Sequence, residues 1–374
     1  MSNFENHKRF MLLAQKYSLS NLGHTFPNPS VGCYIVDYKK NKKGKIVSFG
    51  KTGKNGRPHA EEVALKKAGK KAKGCTMYVT LEPCNHKSKN LSCTNQIIKS
   101  EIKKIFIAKI DPDKRTNKKS IKKFINKKIT VNLGLTKEIT ENTNRYFFQS
   151  IKKNRPYVKI KMAISKDKKI AWSDYSSKWI SNSKSRKYSH KLRFLSQSIL
   201  TTSKTILKDN PRFTIRKNNK IIKYIPIIII DQNLKIPLKS KLLKNLDKKN
   251  IIIFTNKIGK KFNKLNLLGC KMIYTNKMNN EGRLDLKEIM KQIYSFKIND
   301  ILVEAGGIFL SNLLKNKLVD EMHIFQAPFN IGSNGKPMIY PILSNFNINK
   351  LHFKEITKKN FGKDVYHHFL VKNN

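Results

Sequence analysis

Pro58-His59-Ala60-Glu61 and, further on, Thr76-Met77-Tyr78-Val79-Thr80-Leu81-Glu82-Pro83-Cys84 are the stretches from which the rest of the chain can be ordered. Apolar spacing from Glu61 to Lys71 predicts a helix that opens at His-Ala-Glu, and the β-rich run Thr76–Leu81 predicts a strand that stops just before Pro83-Cys84. Toward the N-terminus, Phe10, Leu13, Ala14 and Tyr17 share one face of a predicted helix over Phe4–Leu19. Thr25-Phe26-Pro27-Asn28-Pro29 then reads as a loop and Val31–Asp37 as a strand. Toward the C-terminus, a helix containing Gln96–Lys99 precedes a strand at Ile105–Ile110. Strands alternating with helices predict a layered α/β fold.

The pattern changes between Glu138 and Pro156, where a helix carrying Tyr146, Phe147 and Ile151 runs into Lys152-Lys153-Asn154-Arg155-Pro156 and a fresh strand starts at Tyr157. A chain of 374 residues has room for two domains at about 100 to 200 residues each, so the division is placed at residues 1–150 and 151–374. The second half alternates again. Strands are predicted at Val158–Ser165, Ser198–Thr202, Ile225–Asp231, Ile251–Thr255 and Asp300–Glu304, and helices at Lys184–Leu195, Leu286–Phe296 and Phe309–Lys315.

Composition narrows the function classes. The longest greasy stretch, around Ile225–Ile230, is far short of a membrane span, and no signal-peptide core opens the chain, so a soluble cytoplasmic protein without a membrane partner is expected. The formal charge of +54 comes from 78 Lys and Arg against 24 Asp and Glu. Such an excess invites a nucleic-acid reading. Only ten of the 78 are Arg, however, and the lysines are spread end to end beside abundant Asn and Ile, which is what A/T-rich codon drift produces. No basic stripe stands out, and no nucleic-acid partner is expected. The five cysteines, Cys33, Cys75, Cys84, Cys93 and Cys270, are an odd set for a disulfide framework. Cys33 and Cys75 read as small apolar packing residues beside strands.

Cys84 and Cys93 differ. With His59 at the start of the helix they supply one imidazole and two thiolates, three ligands for zinc with a fourth position left for water, which is the pattern of a catalytic rather than a structural site. Zinc draws the pKa of a bound water toward neutrality. Glu61, two residues past His59, is placed to shuttle the proton. His-x-Glu followed by Pro-Cys and a further Cys is the zinc nucleobase-deaminase pattern, with a gap of eight residues where two are usual. His24, His190, His323, His367 and His368 show no ligand-like spacing and read as structural or surface residues. In the second half, Val303-Glu304-Ala305-Gly306-Gly307 ends a strand and precedes a helix, a place where bare amides can receive phosphate.

Taken together these motifs resemble the bifunctional deaminase/reductase family of riboflavin biosynthesis. Pro27-Asn28-Pro29-Ser30-Val31-Gly32, His59-Ala60-Glu61 and Thr80-Leu81-Glu82-Pro83-Cys84-Asn85-His86 stand in that family's order and spacing. The resemblance implies an N-terminal cytidine-deaminase-like α/β/α domain in which Asn28 binds the pyrimidine, His86 and Lys89 hold the ribose phosphate and Asp111 contacts the sugar side. It extends into the second half through Lys161-Met162-Ala163-Ile164-Ser165, Ser177-Lys178-Trp179-Ile180-Ser181 and Thr205–Arg216. There it implies a dihydrofolate-reductase-like α/β domain using NADPH, with Ala163, Trp179, Ser181, Thr205, Asp209, Gly306 and Gly307 near the cofactor. Ser177, Arg193, Phe213, Arg216 and Glu304 would face the substrate. Lys161 and Asp209 would position groups or transfer protons. Arginine suits a phosphate because its fork gives paired donors. Lys168 stands where the family generally has glycine.

The resemblance therefore implies zinc-dependent hydrolytic deamination of 2,5-diamino-6-(5-phosphoribosylamino)pyrimidin-4-one. NADPH reduction of the ribosyl group to 5-amino-6-(5-phosphoribitylamino)uracil would follow, on a small phosphorylated pyrimidine substrate and in a homo-oligomer, dimer or tetramer. The alternative is a zinc-dependent nucleic-acid deaminase with a basic C-terminal binding domain.

Overall fold

The computed structural model describes residues 3–86, 91–174, 180–340 and 352–372. The chain divides into two compact units, Met1–Lys153 and Asn154–Asn374.

The first unit is built on five strands, β1 (Gly32–Asp37), β2 (Lys45–Lys51), β3 (Thr76–Leu81), β4 (Lys104–Lys109) and β5 (Thr130–Leu133), in the order β2-β1-β3-β4-β5. β1 runs antiparallel to both β2 and β3, and β3, β4 and β5 are parallel. All six residues of β3 are buried because helices cover both faces. Met77, Val79 and Leu81 pack with α2 (Ala60–Ala68), α3 (Cys93–Lys99) and α4 (Lys119–Asn126), whereas Tyr78 packs with Phe10, Met11 and Ala14 of α1 (Asn3–Leu19). This is the α/β/α layering expected. α5 (Lys137–Thr143) and α6 (Arg145–Lys153) complete the unit. β2 and β5 are lysine-bearing or half-exposed edge strands, so the alternation of burial that would betray them in sequence is weak.

The second unit holds β6 (Tyr157–Ile164), β7 (Lys169–Ala171), α7 (Ser183–Phe194), β8 (Ser198–Thr202), α8 (Ser203–Asp209), β9 (Ile215–Lys217) and β10 (Lys220–Lys223). They are followed by β11 (Ile227–Ile230), β12 (Ile251–Thr255), α9 (Lys260–Leu267), β13 (Lys271–Tyr274), α10 (Leu286–Ser295) and β14 (Asp300–Val303). The unit closes with α11 (Gly307–Lys315), β15 (Glu321–Gln326), β16 (Lys336–Pro337), β17 (His352–Phe361) and β18 (Asp364–Lys372). Nine strands form one sheet in the order β13-β12-β11-β8-β14-β6-β15-β18-β17. Pairing is parallel from β13 through β15 and antiparallel in β15–β18 and β18–β17. Val158, Ile160, Met162 and Ile164 of β6 face the α10–α11 layer. On the other face Ile199, Ile227 and Ile251 pack with Leu265 of α9, and Leu302 and Phe325 pack with Leu192 of α7.

This topology decides where a ligand can enter. From β8 the chain moves outward through β11, β12 and β13, and at β14 it resumes on the other side of β8. Connections that part in opposite directions leave a crevice at the carboxyl ends of the two strands. β8 runs directly into α8, and β14 into α11, across that crevice. Among the described residues no helix is long and apolar enough to cross a membrane.

Candidate metal centre and cleft

His59 occupies the N-cap of α2, where its own N–H donates to Glu62 Oε2 at 2.6 Å in a capping box, so its ring is fixed at a helix entrance. Cys93 opens α3 behind the N-cap Ser92, whose hydroxyl accepts from Asn95 N at 3.3 Å. Cys84 follows β3 directly. His59 Nδ1 lies 3.3 Å from Cys93 Sγ, Cys93 N–H donates to Cys84 Sγ at 3.4 Å, and the three ligand atoms sit within 4.8 Å of one another. Two sulfurs and one imidazole nitrogen on a tight triangle fit a tetrahedral zinc with one position open.

The electrostatics agree with that use. The Cys93 side chain pulls the Cys84 thiol down to about 4, with burial opposing and His59 assisting. The same contact, together with burial, pushes the Cys93 thiol up, and a bound cation would release that proton. Glu61 is 4% exposed, and burial pushes its carboxyl up to about 7 against the pull of His59. A carboxyl that both holds and releases a proton near neutrality suits general acid and base work. Cys33 and Cys75 are buried in the same core and are not members of the ligand triangle.

The loops around the triangle hold the other expected residues. Asn28 Nδ2 donates to Gly56 O at 3.0 Å, and Tyr146 Oη donates to Asn28 O at 2.9 Å. Gly56 has φ +83°, and a Cβ there would stand 2.6 Å from the Asn28 amide, so the loop leading to His59 requires glycine to seat Asn28. Asp111 is buried, and burial raises its carboxyl to about 7. Its loop is tied by Glu82, which sequence reading passed over: Glu82 Oε2 accepts from Asp111 N at 3.3 Å and Lys118 N at 3.1 Å, and Oε1 accepts from Ser120 Oγ at 2.7 Å. His86 Nδ1 lies 3.5 Å from Thr116 Oγ1. Lys89 falls outside the described residues.

In the second unit a cavity of about 830 Å³ opens at the crevice between β8 and β14. Lys161, Ala163, Ser181, Arg193, Thr205, Asp209, Phe213, Glu304, Gly306 and Gly307 all line it. Ser177 and Trp179 fall outside the described residues. The turn into α11 is shaped by glycine: a Cβ on Gly307 would meet Pro337 O at 2.5 Å and Met338 O at 2.6 Å, whereas one on Gly306 would meet no atom of the described residues within 4 Å. Bare backbone at a helix start facing a large cleft fits the phosphates of a dinucleotide. Burial lowers the Lys161 ammonium pKa, with Glu304 and Asp209 opposing.

Three expectations change. Arg193 was to face the substrate as a phosphate fork, yet both arms are spent inside the protein, on Glu304 and, through Nη1 at 3.0 Å, on Thr214 O. Arg216 lies exposed on β9, beyond the residues lining the cleft, with its backbone N–H on His190 Nδ1 at 3.2 Å. Basic residues not singled out in the sequence, Arg186, Lys204, Lys208 and Lys336, do line the cavity. Nothing in their local sequence separates them from the chain's other basic residues. His323 and His368, read as lacking partners, converge on Glu321. The signal was Glu-x-His at strand spacing, legible only once β15 is known to be a strand.

Known proteins are similar over both units. Residues 4–109 match the cytidine and deoxycytidylate deaminase zinc-binding region, and residues 156–366 match the RibD C-terminal domain. The riboflavin biosynthesis protein RibD of Aquifex aeolicus is 37% identical over 86% of each chain, and that of Escherichia coli is 31% identical over 96% of this chain and 98% of its own. A solved Acinetobacter baumannii RibD is 27% identical, with a TM-score of 0.87 over 99% of this chain and all of that one. A Thermotoga maritima diaminohydroxyphosphoribosylaminopyrimidine deaminase/5-amino-6-(5-phosphoribosylamino)uracil reductase is 26% identical, with a TM-score of 0.84 over 99% and 100%.

Proposed function

Because the chain belongs to the RibD family, whose members are bifunctional deaminase/reductases of riboflavin biosynthesis with a zinc-binding deaminase domain and an NADPH-dependent reductase domain, we propose a specific division of labour for its residues. The substrate is the diaminopyrimidine ribosyl phosphate, 2,5-diamino-6-(5-phosphoribosylamino)pyrimidin-4-one, acted on in the cytoplasm without a nucleic-acid partner. The observation that carries this reading is the buried carboxyl of Glu61 beside the His59, Cys84 and Cys93 triangle.

His59, Cys84 and Cys93 hold zinc, which when bound supplies Lewis-acid activation of water. Asn28 hydrogen-bonds the pyrimidine edge, and Asp111, on the loop anchored by Glu82, orients the sugar side. Glu61 takes the proton of the water that adds to the amine-bearing ring carbon and passes it to the amino nitrogen. The C–N bond breaks, ammonia leaves, and the ring carbon becomes a carbonyl. In the second unit Gly306 and Gly307 would hold the phosphates of NADPH, which when bound would supply the hydride for reduction at C1 of the opened ribosyl imine. Lys161 delivers the proton that the nitrogen then requires; burial lowers its pKa, with Glu304 and then Asp209 opposing.

The test is Glu61→Gln in the full chain, with ammonia release and NADPH oxidation followed separately. The expected result is loss of ammonia release by at least about 100-fold, as for other general acid–base groups, with zinc content unchanged and NADPH oxidation intact on supplied deaminated intermediate. Ammonia release at the wild-type rate would overturn the assignment.

A further inference from the structure

On the sheet face beneath α7, β15 and β18 gather three side chains that neither activity uses. Glu321 and His323 are two residues apart on β15 and so project to the same face. His368 lies directly opposite His323 in the antiparallel β15–β18 pair. Glu321 Oε1 is 3.1 Å from His323 Nε2 and 2.6 Å from His368 Nε2, and the two imidazoles stack with centroids 4.7 Å apart. The three donor atoms lie within 4.8 Å of one another, as do those of the His59 triangle.

The ring orientations are those of ligands. His323 Nδ1 is engaged by the Tyr366 hydroxyl at 2.8 Å, which turns Nε2 toward Glu321. An outer hydrogen bond of this kind fixes the tautomer and orientation of a metal-binding histidine. His323 is 4% exposed, and the buried Nε2 atoms of both histidines converge on the single oxygen Glu321 Oε1, with no other partner among the described residues. Two imidazole nitrogens crowded onto one carboxylate oxygen are poorly served by it, and a shared cation would serve all three. Two imidazole nitrogens and a carboxylate form a donor set that suits zinc and similar divalent ions, with a fourth position for water. The neighbouring charges permit it: Lys159, opposite Glu321 across the β6–β15 pair, is already tied to buried Asp300 at 2.7 Å.

We propose that Glu321, His323 and His368 form a second zinc-class metal site, which pins the C-terminal strand β18 to the parallel sheet. None of the three lines the cleft, so the ion is structural to this unit and takes no part in reduction. Partial exposure of the His368 side chain, at 17%, gives the ion a path in.

The test uses the full chain carrying Cys84→Ser and Cys93→Ser, which leaves the second half unaltered. After stripping with chelator, zinc is titrated and bound metal counted. The expected result is one zinc per chain and a thermal midpoint that rises with zinc concentration, both lost when His368→Gln is added. In the wild type the count is two, falling to one with His368→Gln. Cobalt in the double cysteine variant should give weak d–d absorption without the intense sulfur charge-transfer band. A double variant that still oxidises NADPH but binds no zinc, or a zinc count unaffected by His368→Gln, overturns the proposal. Should the double variant not fold, a wild-type count of one overturns it and a count of two that drops with His368→Gln sustains it.

Discussion

Arg193 and Glu304 meet fork to fork, Nε to Oε1 at 2.5 Å and Nη2 to Oε2 at 2.9 Å, at the base of the second unit's cleft. The guanidinium also lies over the Phe213 ring, 5.5 Å from its centroid. The pair ties α7 to the end of β14, one of the two strands that flank the crevice. Arg193 therefore holds the Glu304 carboxylate and lies over the Phe213 ring in the wall of the cavity.

Glu304→Gln should destabilise the second unit by about 3 kcal/mol, because removing one partner of a buried pair leaves the other charge uncompensated. Arg193→Lys should fall in the same range, since an ammonium cannot span both oxygens. Urea unfolding followed by a probe confined to the second unit would check this. A shift below about 1 kcal/mol for both variants would show that water already compensates the pair.

The same pair sets a pH dependence. Burial works to raise the Glu304 carboxyl, but Arg193 overrides it and holds the group at about 2, below its ordinary 4.5. The folded state thus binds fewer protons than the unfolded one between these values. Stability from Glu304 is full above pH 4.5 and is lost as pH falls toward 2. Asp300 runs the other way: burial, resisted by Lys159, raises it from 3.8 to about 6, so its contribution is present at low pH and lost as pH rises through that window. Stability measured against pH should show a flatter acid limb for Glu304→Gln than for wild type, and for Asp300→Asn a gain relative to wild type that grows from pH 3.8 to 6.

Gly307→Ala and Gly306→Ala should separate packing from ligand contact. At Gly307 a methyl collides with two carbonyl oxygens, which overpacking data put at about 1–3 kcal/mol, and the displaced helix start should raise the KM for NADPH about tenfold. At Gly306 the methyl meets no atom of the described residues, so thermal stability should stay within about 0.5 kcal/mol of wild type while the KM for NADPH still rises. Equal stability losses in both variants would contradict this account of the turn.

Legibility in the sequence followed burial. β8 and β12 are predicted with the bounds observed, because their apolar runs are sandwiched between helices and stopped by turn signals. The metal triangle was readable because its residue types are rare in this chain and their spacing is diagnostic. Edge strands such as β2 and β5 were missed, since lysine outward and one apolar residue inward is also how a loop of this chain reads. Of the β17–β18 hairpin only His367-His368 reads as strand and rim, and edge strand β17, rich in lysine, goes unread for the same reason as β2. Arg193 shows a different limit: sequence marks an arginine as a strong anion binder but does not say whether that anion is a ligand phosphate or the protein's own Glu304. Lys168 has φ +61°, the left-handed region that favours glycine, which gives a physical sense to the departure noted there.

Arg155 repeats the Arg193 arrangement, gripping buried Asp320 through Nη1 at 2.6 Å and Nη2 at 2.9 Å, so two of the ten arginines close internal carboxylates with both arms. A lysine in either place would satisfy one oxygen and strand its twin away from water. Codon bias can recolour the solvent-facing shell almost freely, because there each cation answers only to bulk water and salt. Inside, planar two-handed geometry sets a floor beneath which the arginine count cannot sink while the fold survives.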